Sequence, residues 1–204
     1  MRRSFTRWAG VIAALAIGAA EGRAQATGTP TFNAPYRAFT RSEIGLLISF
    51  PDGGGTAFEG AYRMSSGRFD VGFKGGIFDQ DAPSADAVLL LGVEARQRVI
   101  THSLDFPFDG ALMLGVGGQF VGGNSVLIIP VGLSLGRRLD LQGSRTSIVP
   151  YVQPTALITV DGGSDFNFAL GLGADFRFSP RFDGRLSAGL GDLEGVALGF
   201  VWVH

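Results

Sequence analysis

The sequence contains no cysteine, a single lysine and only two histidines, and each scarcity closes a route. Without cysteine there is no disulfide, no thiol chemistry and no thiolate metal site. With only His102 and His204, imidazole-based catalysis has little to draw on. Lys74 is the sole lysine and arginine supplies the remaining positive charge. A soluble exported barrel would show a Lys/Glu/Thr-rich exterior, so this scarcity argues against one. Long apolar runs are missing too. Past the amino terminus, glycine or a charged residue interrupts every hydrophobic stretch before the roughly 20 residues that a spanning helix needs.

The amino terminus is built differently. Arg2, Arg3 and Arg7 surround or precede the apolar run AGVIAALAIGAA, and Ala24-Gln25-Ala26 follows as a small-x-small site. This order predicts a secretory signal peptide over residues 1–26, cleaved after Ala26. The apolar run is too short for a membrane anchor. A short periplasmic segment at 27–42 and one domain at 43–204 complete the expected organisation. Loss of Arg2, Arg3, Arg7, Arg23 and Glu21 with the signal leaves 13 basic and 17 acidic residues, a formal net charge of −4. That balance carries no electrostatic footprint for nucleic acid.

What the chain has in abundance is glycine, 32 residues, set within strict alternation. In FNFALGLGADFRFSPRF, one face holds Phe166, Phe168, Leu170, Leu172, Ala174, Phe176 and Phe178. The other holds Asn167, Ala169, Gly171, Gly173, Asp175, Arg177 and Ser179. Period two is the signature of a strand, whose successive side chains leave on opposite faces. One face is large and greasy with aromatics at both ends; the other is small with a few charges. A strand between lipid and a narrow lumen has this composition.

The pattern recurs between turn signals along the chain. Ile44, Leu46, Ile48 and Phe50 run into PDGGG; Phe58, Tyr62 and Met64 run into SSG. Phe69, Val71, Phe73 and Ile77 precede FDQDAPSAD, and Leu89, Leu91, Val93 and Val99 precede THSLDFPF. Leu112, Leu114, Val116 and Phe120 reach GGNS; Leu127, Ile129, Val131, Leu133 and Leu135 reach GRRLDLQGSRTS. A seventh stretch, about 148–160, is the least regular because Pro150 and Pro154 interrupt it, and Pro130 lies within the sixth. After the strand quoted above come Leu186, Ala188 and Leu190, then Val196, Leu198, Phe200 and Trp202. The expected fold is all-β, an antiparallel up-and-down transmembrane β-barrel of ten strands, or eight if the weak seventh and a short neighbour are mis-segmented. An even count returns both ends of the barrel to one side.

The stretches LGLGADFRFSPRFDGRLSAGLG and GVALGFVWV resemble the closing hairpins of small bacterial outer-membrane β-barrel proteins. FPFDGALMLGVGG, LIIPVGLSLGRRL and VPYVQP extend the resemblance over most of the chain after the signal. It implies residence in the bacterial cell outer membrane and contact with outer-membrane lipid and lipopolysaccharide. It further implies insertion by the barrel assembly machinery and a monomeric barrel. One departure bears on insertion efficiency: Val203 and His204 follow Trp202, where the class ends on an aromatic residue.

If the last strand ends in the periplasm, as the resemblance implies, the charges sort by side. The outward turns hold Asp52, Asp79, Asp81, Asp86, Asp161, Asp165, Asp192 and Glu194 without an arginine or lysine. The inward turns hold Arg137, Arg138, Arg145 and Arg181. The acidic set, Asp79, Asp81, Asp86, Asp161 and Asp165 in particular, could form a diffuse cation-collecting rim. Aspartate is also simply a good turn residue. Parity places Glu43, Glu59, Arg63, Arg68, Asp70, Lys74, Glu94, Arg96, Arg98, Asp175, Arg177 and Arg185 on the inner face. Buried charges must be paired or hydrated, so an ion-pair network filling the lumen is expected.

Catalysis finds little support. His102, Ser103 and Asp105 are neighbours in sequence, whereas a triad is defined by convergent geometry. The glycine-rich stretches LGLGA and GVGG lead into no helix, as a nucleotide loop requires. No cofactor is implied. The sequence thus points to a non-enzymatic outer-membrane barrel with a structural or surface-interaction role. The alternatives are a narrow, porin-like channel or binder for small solutes, and a soluble secreted barrel holding an apolar ligand.

Overall fold

A computed structural model describes residues 25–35, 41–81 and 86–204. Residues 1–24 of the expected signal peptide and 36–40 of the expected periplasmic segment lie outside the described residues. The strands are β1 (Glu43–Pro51), β2 (Thr56–Ser66), β3 (Phe69–Asp79), β4 (Val88–Ile100), β5 (Asp109–Val121), β6 (Asn124–Gly136), β7 (Leu139–Asp140), β8 (Ser147–Val160), β9 (Ser164–Arg177), β10 (Phe182–Gly191) and β11 (Gly195–Val203). All pairings are antiparallel. Each long strand pairs with its neighbours, β6 joins β8 past the two-residue β7, and β1 joins β11 to close the wall. The result is a closed meander of ten long strands with one short extra strand. Closure leaves the ring of ten long strands without a free edge, which is how an all-β wall satisfies its backbone without water.

Turn chemistry sets the hairpins. Between β5 and β6 the chain reverses through Gly122 and Gly123, both at positive φ (54° and 86°). Two such residues in succession are what a tight hairpin demands, because that turn follows the right-handed twist of the strands. The turns 52–55, 122–123, 161–163 and 192–194 and the described residues 80–81 and 86–87 gather at one end of the barrel, here the acidic end. The connections 67–68, 101–108, 178–181 and those flanking β7 lie at the other, basic end.

The exterior is apolar. Leu46 (70% exposed), Phe58, Phe73, Leu91, Leu114 and Leu198 all point outward. Phe50, Phe58, Phe120 and Phe166 lie toward the acidic end, and Tyr62, Phe69, Phe178, Phe182 and Trp202 toward the basic end. Alternate residues on the same strands are buried. In β1, for example, Glu43, Leu47 and Ser49 point inward between exposed Ile44, Leu46, Ile48 and Phe50.

The prolines fit without shifting register. In the β5–β6 ladder the register is the same before and after Pro130, and the positions Gly115–Pro130 and Val116–Ile129 are skipped. In the β6–β8 ladder the skipped positions include Pro154, opposite Leu133. Proline has no N–H to donate, so the ladder tolerates it where two neighbouring positions are left out. β8 is accordingly a full strand of 14 residues, not the irregular element its prolines suggest. The one register shift in the wall falls in β4–β5, between Arg98 and Ile100.

Beyond Trp202, Val203 is buried and His204 stacks on Trp202 (5.0 Å, 21°) and lies over Tyr62 (6.2 Å, 22°). The non-aromatic ending thus extends an aromatic stack at the seam of the barrel.

Candidate functional site

The lumen holds a dense set of buried charged side chains. Each inner position comes from parity: once one residue of a strand faces in, so does every second one. Neighbouring strands then bring these residues together by register. Arg63 donates to Asp70 and to Glu94 (2.9 Å), and its Nε lies 3.7 Å from Glu43. Arg96 donates to Asp70 at 3.1 Å, and Lys74 to Glu94 at 3.4 Å. Arg185 holds Asp175 with two bonds of 3.0 and 3.1 Å and reaches Glu43 at 3.4 Å. Glu43 bridges the two halves. Four carboxylates and four cations form one connected, formally neutral network. Its members are buried, Arg96 to 1% exposure. In such surroundings each charge depends on its partners, because an uncompensated ion costs several kcal/mol.

Not every charge expected inside belongs to this network. Arg68 sits exposed in the β2–β3 turn, past the point where strand parity applies, and its carbonyl accepts from the Arg98 N–H. Arg98 is half-buried near the bulge and donates to Thr101 at 3.4 Å. Arg177 is half-buried at the basic end and pairs with Asp183. Glu59 is 3% exposed but lies apart from the network.

The larger surprise is what fills the remaining space. Residues 25–35, the last two of the expected signal peptide and the start of the expected periplasmic segment 27–42, run through the lumen itself. Gln25, Ala26, Thr27, Phe32 and Ala34 are buried to 1% exposure or less. The segment forms no strand, so its carbonyls need other donors. The wall supplies them. Gln119 donates to the carbonyl of Thr27 (3.1 Å), Ser187 to Pro30 (2.7 Å), Lys74 to Thr31 (3.0 Å) and Tyr151 to Phe32 (2.9 Å). Ser134 donates to the carbonyl of Asn33 (2.7 Å) and Arg96 to that of Ala34 (3.3 Å). Arg185 also donates to the Asn33 side chain at 2.8 Å, tying the segment to the ion network.

Glycines of the inner face make the room. A Cβ added to Gly171 would stand 2.2 Å from the Phe32 ring, and one on Gly117 would stand 2.2 Å from the Ala26 carbonyl oxygen. Phe32 packs with Ala34, Ile128, Val149, Tyr151, Leu157, Ala169 and Leu193 in the main apolar cluster of the interior. Burying one phenylalanine stabilises by about 1.5–3 kcal/mol. The inner glycines are therefore a mould for the segment as well as a means to a crowded wall.

At the acidic end the segment forms the floor of a pocket of ≈ 400 Å³, where Gly28 and Thr29 meet Asp52, Asp81, Asp192 and Glu194. Two of these carboxylates cap backbone: Asp81 accepts from Gly55 N–H (2.8 Å) and Asp192 from Phe168 N–H (2.6 Å). Among the described residues no group of three or more His, Asp or Glu is placed to hold a metal ion. Asp79, Asp86, Asp161 and Asp165 belong to the same end through separate strands and turns.

At the basic end His102 pairs with Asp109 (Nδ1–Oδ2 3.0 Å), and Ser103 accepts the Phe106 N–H at 3.2 Å. The carboxylate beside the imidazole is thus Asp109, not the sequence neighbour Asp105, and the serine caps a turn.

No family model matches the chain, and no curated protein matches it. Among solved structures, a de novo designed transmembrane β-barrel is similar at 16% identity and TM-score 0.44, covering 81% of this chain and 97% of that one. A bacterial polysaccharide outer-membrane secretin is similar at 11% identity and TM-score 0.44, covering 74% of this chain and 57% of that one. The β-domain of the Bordetella autotransporter BrkA is similar at 11% identity and TM-score 0.44, covering 80% and 98%. The barrel described above rests on its own strand pairing.

Proposed function

We propose that the chain is a non-enzymatic β-barrel of the bacterial outer membrane, closed by its own amino-terminal segment and acting in a structural or surface-interaction role. The observation that carries this reading is the inversion of the two faces. Large apolar side chains cover the exterior, while the interior is filled with ion pairs and a hydrogen-bonded segment. A soluble carrier of apolar ligands would reverse that arrangement. Strands of 9–14 residues suit a tilted crossing of the hydrocarbon layer, which takes about 9–11. Ten-stranded walls enclose little space, and open aqueous channels belong to barrels of about sixteen strands.

A specific observation favours a second reading, a binder or narrow conduit for small solutes. The acidic pocket opens at one mouth, and its floor is a segment, not a strand of the wall. Two measurements test the first reading against the second. Fractionation should recover the protein with outer membranes, with migration on gels that changes on heating. Planar-bilayer recordings should show no stable conductance. Recovery in the soluble periplasm would overturn the membrane assignment; porin-sized steps would overturn the closed lumen.

A further inference from the structure

Three features converge on the stretch where the lumen segment begins. Gln25 is the only non-glycine residue with positive φ among the described residues (144°). It is fully buried, and neither its amide nitrogen nor its amide oxygen has a hydrogen-bond partner among the described residues. A residue that is strained and unsatisfied at once destabilises the interior it occupies. Gln25 is also the middle residue of the small-x-small motif Ala24-Gln25-Ala26.

The second feature is Glu59. Its Oε2 accepts one bond from the Thr29 hydroxyl (2.7 Å), which in turn lies 3.1 Å from the Thr27 hydroxyl. Its Oε1 is buried without a partner, and it has no ion pair among the described residues. The neighbouring network is already neutral, four charges against four, so Glu59 is an extra carboxylate with no cation of its own among the described residues. The third feature is Thr27 itself, fully buried and two residues from the threonine that holds Glu59.

We infer that the mature protein begins at Thr27 inside its own barrel, and that the α-ammonium group created there is the counter-charge of Glu59. The chemistry is hydrolysis of the Ala26–Thr27 peptide bond by water, catalysed by a peptidase of the export route. Ala26 leaves as a carboxylate and Thr27 keeps the amine, which takes up the proton. Cleavage removes the strained, unsatisfied Gln25 and vacates the space beside Gly92 and Gly117 that Ala26 fills. The ammonium gains that space. Because Gln25, Ala26 and Thr27 are buried in the closed barrel, the bond is out of reach once the wall forms, so cleavage precedes folding. The free end is then captured as the strands close around it.

The inference rests on export of the chain but not on which membrane receives it. Intact-mass measurement of protein isolated from cells should give a chain starting at Thr27. Its accessibility is then read by amine labelling, which is clean because Lys74 is the only other amine and is itself buried. Detergent-folded protein should react with an amine-directed ester roughly tenfold or more slowly than protein unfolded in urea, since reaction must await local opening. Charge pairing is tested in a Lys74→Arg background by acetylating the amino terminus before refolding. Acetylation should lower the melting temperature, and do so far less when Glu59→Gln is also present. A different first residue, equal labelling of folded and unfolded protein, or equal loss on acetylation with and without Glu59 would each overturn the proposal. The labelling comparison needs no substitution, so it stands even if a variant fails to refold. A Thr27 start with a shielded amine, in protein found outside the outer membrane, would sink the localisation and leave this inference intact.

Discussion

Leu172 and Gly171 are adjacent in β9 and live under different rules. Leu172 faces outward among other apolar side chains and meets no fixed partner in the wall's interior. Gly171 faces inward, where even a methyl group would collide with Phe32. The outer face asks for a property, greasiness, at each position. The inner face asks for particular shapes and charges, because everything there is buried against something specific. A barrel with a solid interior therefore has one tolerant surface and one exacting surface on the same strands.

The largest effect should come from unpairing the interior. Arg185→Met leaves Asp175 and Glu43 short of a cation and frees Asn33 of the lumen segment. Breaking a buried pair in this way should cost about 3–5 kcal/mol, read by urea unfolding in detergent or lipid. A loss below about 1 kcal/mol, the range of an exposed pair, would mean that water already reaches the network.

Next is charge placed on the tolerant face. Leu172→Arg should cost about 2–4 kcal/mol near the bilayer midplane and reduce insertion. Leu172→Ala at the same site should change stability little in lipid, whose tails are as apolar as leucine. If the arginine variant inserts and unfolds like the parent, the outer face does not meet lipid.

Overfilling the exacting face is the third test. Gly171→Val should cost about 1–3 kcal/mol by driving against Phe32. The diagnostic partner is Phe32→Ala, which empties the same space. Combined, the two should cost clearly less than their sum, because neighbours that share a volume are not additive. Additive losses would place Phe32 elsewhere.

Weakest is the acidic end. Millimolar calcium or magnesium should raise the melting temperature modestly through diffuse binding to the folded form. Replacing Asp79, Asp81 and Asp86 with Asn should remove much of that gain. A response equal to that of matched monovalent salt would reduce these residues to turn chemistry, a role Asp81 already fills by capping Gly55.

Period-two alternation determined the two faces, the turns and the sorting of acidic and basic ends, whereas ten long strands over eight, and the short β7, were decided by strand pairing. This worked because a strand's geometry converts sequence parity directly into direction in space. Parity also placed Arg63, Asp70, Lys74, Glu94, Arg96, Asp175 and Arg185 inside, but it could not pair them, since partners are set by register across strands. It failed for Arg68, where the strand had already ended. The fate of residues 25–35 was decided by tertiary structure alone. Thr-Gly-Thr-Pro-Thr-Phe-Asn-Ala-Pro has no period, and its partners Gln119, Tyr151, Arg185 and Ser187 lie 92 to 157 residues away. A segment with no regular hydrogen bonding of its own adopts a shape only when the closed wall supplies the donors, the glycine mould and the apolar seat for Phe32.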